Sequence, residues 1–174
     1  MSKRDLKKYL KNLDKDEIIK IILDTYSKNK DAKEYLDYLV EPNVNEQLLK
    51  AKKIIVDEYF PEKTFPPKAR LSVAKRAITD FKRFNPSNEL FAELLLFLVE
   101  QCCEFAYKYG VDDEPFYESI EKNYRRFLDF CDKHDLLDKF ELRAEKVTGI
   151  TQYIGFNECM GDIFEEFYFE TLND

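Results

Sequence analysis

The chain has 174 residues with only four glycines, six prolines and no tryptophan. So little turn material excludes a hairpin-rich β fold, and the length suits one domain over residues 1–174 that buries about 70% of its extended surface. The formal charge of −7 excludes a general nucleic-acid binder. It conceals a basic half, residues 1–84 with 20 Lys and Arg against 14 Asp and Glu, and an acidic half, residues 85–174 with 8 against 21.

In chain order, Ser2 with Asp5 forms an acidic variant of a capping box for a short helix carrying Leu6, Tyr9, Leu10 and Leu13. Asp14 with Glu17 opens a second helix, with Ile18, Ile21, Ile22 and Tyr26 at helical spacing, and the two read as a hairpin. Asp31 with Glu34 starts a third, carrying Tyr35, Leu36 and Leu39 and stopped before Pro42. Asn43 with Glu46 starts a fourth, carrying Leu48, Leu49, Ile54, Ile55 and Tyr59, for a second hairpin closed by Pro61. Three prolines within residues 61–70 force a loop, and Leu71, Ala74, Ile78 and Phe81 then mark one face of a helix over 72–84.

The next stretch organises the rest. From Leu90 to Tyr109, fifteen of twenty residues are apolar, with Asn85 as the expected cap, Pro86 at the first helical position and Gly110 just past the end. The expected helix over 86–109 is about 36 Å long. Glu93, Glu100, Gln101, Glu104 and Lys108 interrupt its apolar surface, so it does not read as a membrane span. A helix apolar over most of its circumference is wrapped by other helices.

Beyond Gly110, Asp112 or Asp113 is the expected cap of a helix beginning near Pro115, carrying Phe116, Ile120, Tyr124, Phe127 and Cys131 and ending near His134. Asp135 with Asp138 restarts a helix up to Gly149, and a last one runs from Asn157 to about Thr171. The fold class is therefore all-α: eight to nine helices in consecutive antiparallel pairs, a bundle or short α-solenoid around the long helix. No tetratricopeptide or ankyrin period is present.

Three stretches, SKRDLKKYL at 2–10, RLSVAKRAITDFKRF at 70–84 and YGVDDEPFYES at 109–119, together resemble an uncharacterised family of small bacterial helical proteins of about this length. The similarity covers nearly the whole chain. That family has no assigned activity or catalytic residues, so the resemblance implies a bacterial cytoplasmic protein and carries no functional residue over.

Chemistry is hard to assemble from these residues. His134 is the only histidine, which excludes every site needing two. Cys131 lies three residues before it on one helical face, the spacing of a thiolate–imidazole pair, yet no oxyanion motif or third member accompanies them. Cys102, Cys103, Cys131 and Cys159 form no CxxC pair and read as reduced thiols, and the N-terminus lacks a secretion signal or lipidation motif. The glycines follow no nucleotide-binding spacing, so no cofactor is expected.

Two polar clusters remain. Glu93, Glu100 and Glu104 fall near one face of the long helix, a carboxylate stripe able to bind a divalent cation or act as acid and base if partly buried. Residues 63–84 hold seven Lys and Arg, among them Lys68, Arg70, Lys75, Arg76, Lys82 and Arg83, against Asp80 alone. These six are candidates for contacting a partner or phosphates; the competing reading has the acidic half neutralise them. Phe169, in the aromatic tail, is expected to be exposed and suited to a partner helix. The sequence points first to a cytoplasmic, non-enzymatic helical module that binds another protein or itself. Nucleic-acid binding through residues 63–83 is the alternative, and an enzyme or metal-binding protein on the carboxylate stripe the third.

Overall fold

The computed structural model describes residues 2–154 and 160–173, and among these it holds nine α-helices and no strand. They are α1 (Lys3–Leu10), α2 (Lys15–Lys28), α3 (Lys30–Val40), α4 (Val44–Tyr59), α5 (Leu71–Lys82), α6 (Asn88–Tyr109), α7 (Glu114–Lys133), α8 (Leu137–Thr151) and α9 (Met160–Asn173). The chain falls into two compact units, Met1–Asn43 and Val44–Asp174. This boundary differs from the charge boundary after Phe84, which lies inside the larger unit.

Two helix starts follow their local signals closely. The Asp5 amide donates to Ser2 Oγ at 3.3 Å while the Ser2 amide donates to Asp5 Oδ2 at 2.9 Å. Asp14 and Glu17 close the same reciprocal pair at the head of α2, at 2.8 and 2.9 Å. The start of α3 differs from expectation: a single residue, Asn29, ends α2 and caps α3, accepting from the Ala32 amide at 3.0 Å, so Asp31 falls inside the helix.

The cap of α6 is likewise Ser87, whose Oγ accepts from the Leu90 amide at 3.3 Å. Asn85, the expected cap, instead sits in the left-handed region at φ 50°, where Asn is one of the few side chains tolerated, and turns the chain after α5. Gly110 ends α6 as expected, at φ 62° with its amide donating to the Ala106 carbonyl. Asp113 takes the expected N-cap position of α7, with Pro115 in the first turn, but makes no side-chain capping bond; Asp135 adopts φ 55° ahead of α8 and leaves the N-cap position there to Leu136. The helix α8 continues past Gly149 to Thr151, and the expected start of α9 at Asn157 lies outside the described residues.

Helix pairing is displaced by one element from the expected order. The consecutive helices that pack most extensively are α2 with α3, α4 with α5, α6 with α7 and α8 with α9, while the expected pair of α5 with α6 is also in contact, as are α7 and α8. Connection length accounts for much of this. One residue joins α2 to α3 and Tyr26 Oη crosses to Asp37 Oδ1 at 2.8 Å, whereas α1 has only eight residues to offer a partner.

In the unit from Val44, α6 is the axis, touched by α4, α5, α7 and α8. Eleven of its residues are buried, among them Leu94, Leu96 and Val99 at zero exposure. Each such side chain contributes about 1.5–3 kcal/mol on leaving water. Tyr59, Phe81, Phe127 and Phe164 close around the axis from the surrounding helices. The proline-rich loop before α5 is fastened to α4 by buried Glu58. Its carboxylate accepts from Arg70 Nε at 2.9 Å, from Arg70 Nη2 at 2.5 Å and from the Arg70 amide at 3.2 Å.

The unit ending at Asn43 is built differently. No residue of α1, α2 or α3 is buried.

Candidate functional site

The carboxylate stripe is held by cations from two other helices. Arg143, on α8, donates from Nε and Nη2 to the two oxygens of Glu100 at 2.8 and 2.7 Å, and from Nη1 to Glu93. Glu93 also takes the ammonium of Lys52, from α4, at 2.5 Å. Three helices are thus clamped by one alternating chain of charge. Burial alone raises the Glu93 carboxyl, but the hydrogen bonds from Lys52 and Arg143 outweigh it and hold it below its ordinary value. The Arg70 guanidinium likewise holds Glu58 low against burial.

A depressed folded-state pKa gives stability that is complete above the ordinary glutamate range and is lost as pH falls through the folded value. Thermal unfolding should therefore hold steady at neutral pH and fall below about pH 4. A Glu58→Gln/Glu93→Gln variant should start lower and show a shallower acid slope.

Beside this clamp a cleft of about 600 Å³ is lined by α6 residues Glu100, Glu104 and Tyr107 and by Arg143, Lys146 and Ile150 of α8. Glu104 is exposed, apart from the charge chain that engages Glu93 and Glu100, so the stripe divides into two neutralised carboxylates and one solvated one. Among the described residues no group of three or more His, Cys, Asp and Glu is placed to hold a metal ion.

The basic segment lies open. Lys68, Arg70, Lys75, Arg76, Lys82 and Arg83 are all exposed. Their acid partners are Glu58 and Asp80: Arg70 pairs with Glu58 at 2.5 Å, and Arg83 and Arg76 share Asp80 at 2.9 and 3.7 Å. Both acids belong to residues 1–84. Three of the six cations, Arg70, Arg76 and Arg83, thus find their counter-charge within their own half rather than in the acidic half. Lys82 packs its ammonium 5.6 Å from the Phe91 ring centroid.

Cys131 and His134 do not come together as a pair. Cys131 is fully buried, while the His134 imidazole accepts at Nδ1 from Asn88 Nδ2 at 2.9 Å and packs at a tilt of 51° against Phe130, ring centroids 4.4 Å apart. Burial pushes the Cys131 and Cys102 thiols up to about 12, and Cys103 well above its ordinary value; Cys159 lies outside the described residues. Site-resolved alkylation of the native chain at pH 8 should leave Cys131 orders of magnitude slower than the same thiol in denaturant.

Exposed apolar side chains are densest on α1–α3, though the larger unit also exposes Phe65, Leu142 and Tyr153. Tyr9, Leu23, Leu39 and Val40 are 54–81% exposed between them, and Leu6, Ile19, Ile22 and Tyr35 are also open. The α2–α3 hairpin carries a groove of about 660 Å³ whose apolar wall is Ile22, Leu23, Leu36, Leu39 and Val40. Sequence periodicity assigned Leu6, Tyr9, Ile22, Tyr35, Leu36 and Leu39 to helix faces and passed over Ile19, Leu23 and Val40; periodicity alone does not tell a face that is covered from one that is bare. Phe169 is exposed on α9, as expected.

No helix among the described residues is long and apolar enough to cross a membrane. Neither the curated proteins nor the solved structures contain a match to this chain. A family model described as a family of unknown function (DUF6155) matches residues 1–167, nearly the whole sequence, including both units and the long α6 around which the larger one is packed. The chain belongs to that family.

Proposed function

We propose that the chain is a non-enzymatic interaction module whose α1–α3 unit takes a polypeptide partner, with the α6-centred unit as its stable body. The observation that carries this reading is the contrast between the units: the larger buries eleven residues of α6 alone, while the smaller buries none and exposes large apolar side chains on all three helices. About 40 residues rarely hold a fold without an added staple or an associate. Contiguous bare apolar surface of this kind marks association.

The test is light scattering coupled to size exclusion on the full chain, with a tagged pull-down. Wild type should self-associate or retain a partner, and an Ile22→Asp/Leu39→Asp variant should lose it with the larger unit still folded by circular dichroism. A strict monomer that retains nothing would count against the reading.

The openness of the basic segment supports a second reading, phosphate contact through Lys68, Arg70, Lys75, Arg76, Lys82 and Arg83. With Arg70, Arg76 and Arg83 already paired, about three phosphates rather than six are available, so the log–log salt slope on duplex DNA should be about −3. Absence of binding at about 50 mM salt would end it.

A further inference from the structure

The helix α1 packs two sequence stripes side by side. Leu6 and Leu10 are one turn apart, continue into Leu13 and meet Ile18 of α2; Lys3, Lys7 and Lys11 follow at every fourth residue beside them. In the structure these seven residues line one open groove of about 580 Å³, with leucine and isoleucine as its floor and the lysines as its rim. Across residues 3–18, which span the groove, six Lys and Arg stand against four acids, and Asp14 and Glu17 of these are engaged with each other's amides at the head of α2. The three charged residues that line the groove are all lysines, and the remaining acid on α1 is Asp5. That acid is spent locally, its carboxylate accepting from the Ser2 amide and hydroxyl at 2.9 and 2.8 Å. The groove therefore keeps an apolar floor and a positive edge.

We infer that this groove is the seat of an acidic amphipathic helix from a protein partner, its leucine-type face on Leu6, Leu10, Leu13 and Ile18 and its carboxylates against Lys3, Lys7 and Lys11. The inference rests on the reading of the α1–α3 unit as the partner-binding part of the chain. Charge complementarity selects the occupant. A nucleic acid matches the lysines but leaves the apolar floor unused, and a membrane surface needs outward-facing apolar area, of which Leu6 alone among the groove's four apolar residues is exposed, Leu10, Leu13 and Ile18 being half-buried. A second copy of α1 brings like charge to the same rim. Eight residues of α1 span about 12 Å, enough to seat about two turns of a partner helix. An isolated helix of this length is marginal in water, so the partner also supplies the tertiary packing that α1 lacks.

The experiment is fluorescence anisotropy of the full-length chain with a labelled synthetic helix carrying a leucine stripe flanked by glutamates. The same peptide with lysines for glutamates, anionic phospholipid vesicles and a short DNA duplex serve as comparison probes. The acidic peptide should bind and weaken with salt, and a Lys3→Gln/Lys7→Gln/Lys11→Gln variant, which leaves the apolar floor intact, should bind it roughly tenfold more weakly. A Lys53→Gln/Lys133→Gln variant, altered at two exposed lysines outside the groove, should bind as wild type does. Equal binding of the lysine peptide, indifference to the α1 substitutions, or capture of vesicles or DNA in place of the acidic peptide would overturn the inference. If the α1 lysine variant keeps a partner that Ile22→Asp/Leu39→Asp loses, the groove assignment fails while the proposed function stands. If neither variant loses a partner, both fail.

Discussion

Leu96→Ala should lower the unfolding free energy by about 2–5 kcal/mol, the largest single loss expected in this chain. Leu96 has no exposure and stands midway along α6, among the buried Leu94, Leu95, Leu98 and Val99. Truncation there removes the transfer free energy of the lost methyl groups and opens a void that four packed neighbouring helices only partly close. The informative comparison is Leu23→Ala. The same chemical change at a residue 59% exposed on α2 should stay within about 0.5 kcal/mol. Urea unfolding of both variants, followed by far-ultraviolet circular dichroism, measures the difference. Equal losses would mean that α6 is not the axis of packing.

Arg143→Ala should cost about 2 kcal/mol, a figure reduced from that of a fully buried pair because the Arg143 side chain is 36% exposed. The change leaves Glu100 without its bidentate donor and Glu93 with Lys52 alone. The penalty comes mainly from two stranded carboxylates rather than from a lost attraction. Arg143→Lys keeps the charge but loses the fork, so it should fall between wild type and Arg143→Ala. Adding Glu100→Gln to Arg143→Ala should recover part of the loss, which a double-mutant cycle reads directly. If the two changes prove strictly additive, Arg143 and Glu100 do not act as a pair.

What could be read from the residues alone divides along a physical line. Features with a single local solution were legible: the Ser2–Asp5 and Asp14–Glu17 boxes, the left-handed Gly110 and the apolar run of α6, whereas the caps expected at Asp31, Asn85 and Asp135 each had a competing residue nearby. Features set across helices were not. Nothing near Glu93 or Glu100 names Arg143, some fifty residues on, because the partner is chosen by how α8 lies on α6. The Asn85 error has the same character on a smaller scale, since Asn serves equally as a cap or as a left-handed turn residue, and Ser87 two positions later took the capping bond. The groove on α1 is likewise set across helices, since Lys3, Lys7 and Lys11 line it only together with Ile18, which lies on the next helix.

Residues 44–174 pack around buried α6 whereas α1–α3 bury no residue, so the larger unit should carry the stability of the chain. Native-state hydrogen exchange on the full-length chain tests it most directly. Amides in the middle of α6 should exchange only through global unfolding, while those of α1–α3 exchange through local opening and run orders of magnitude faster. Equal protection of the two regions in the isolated chain would contradict it.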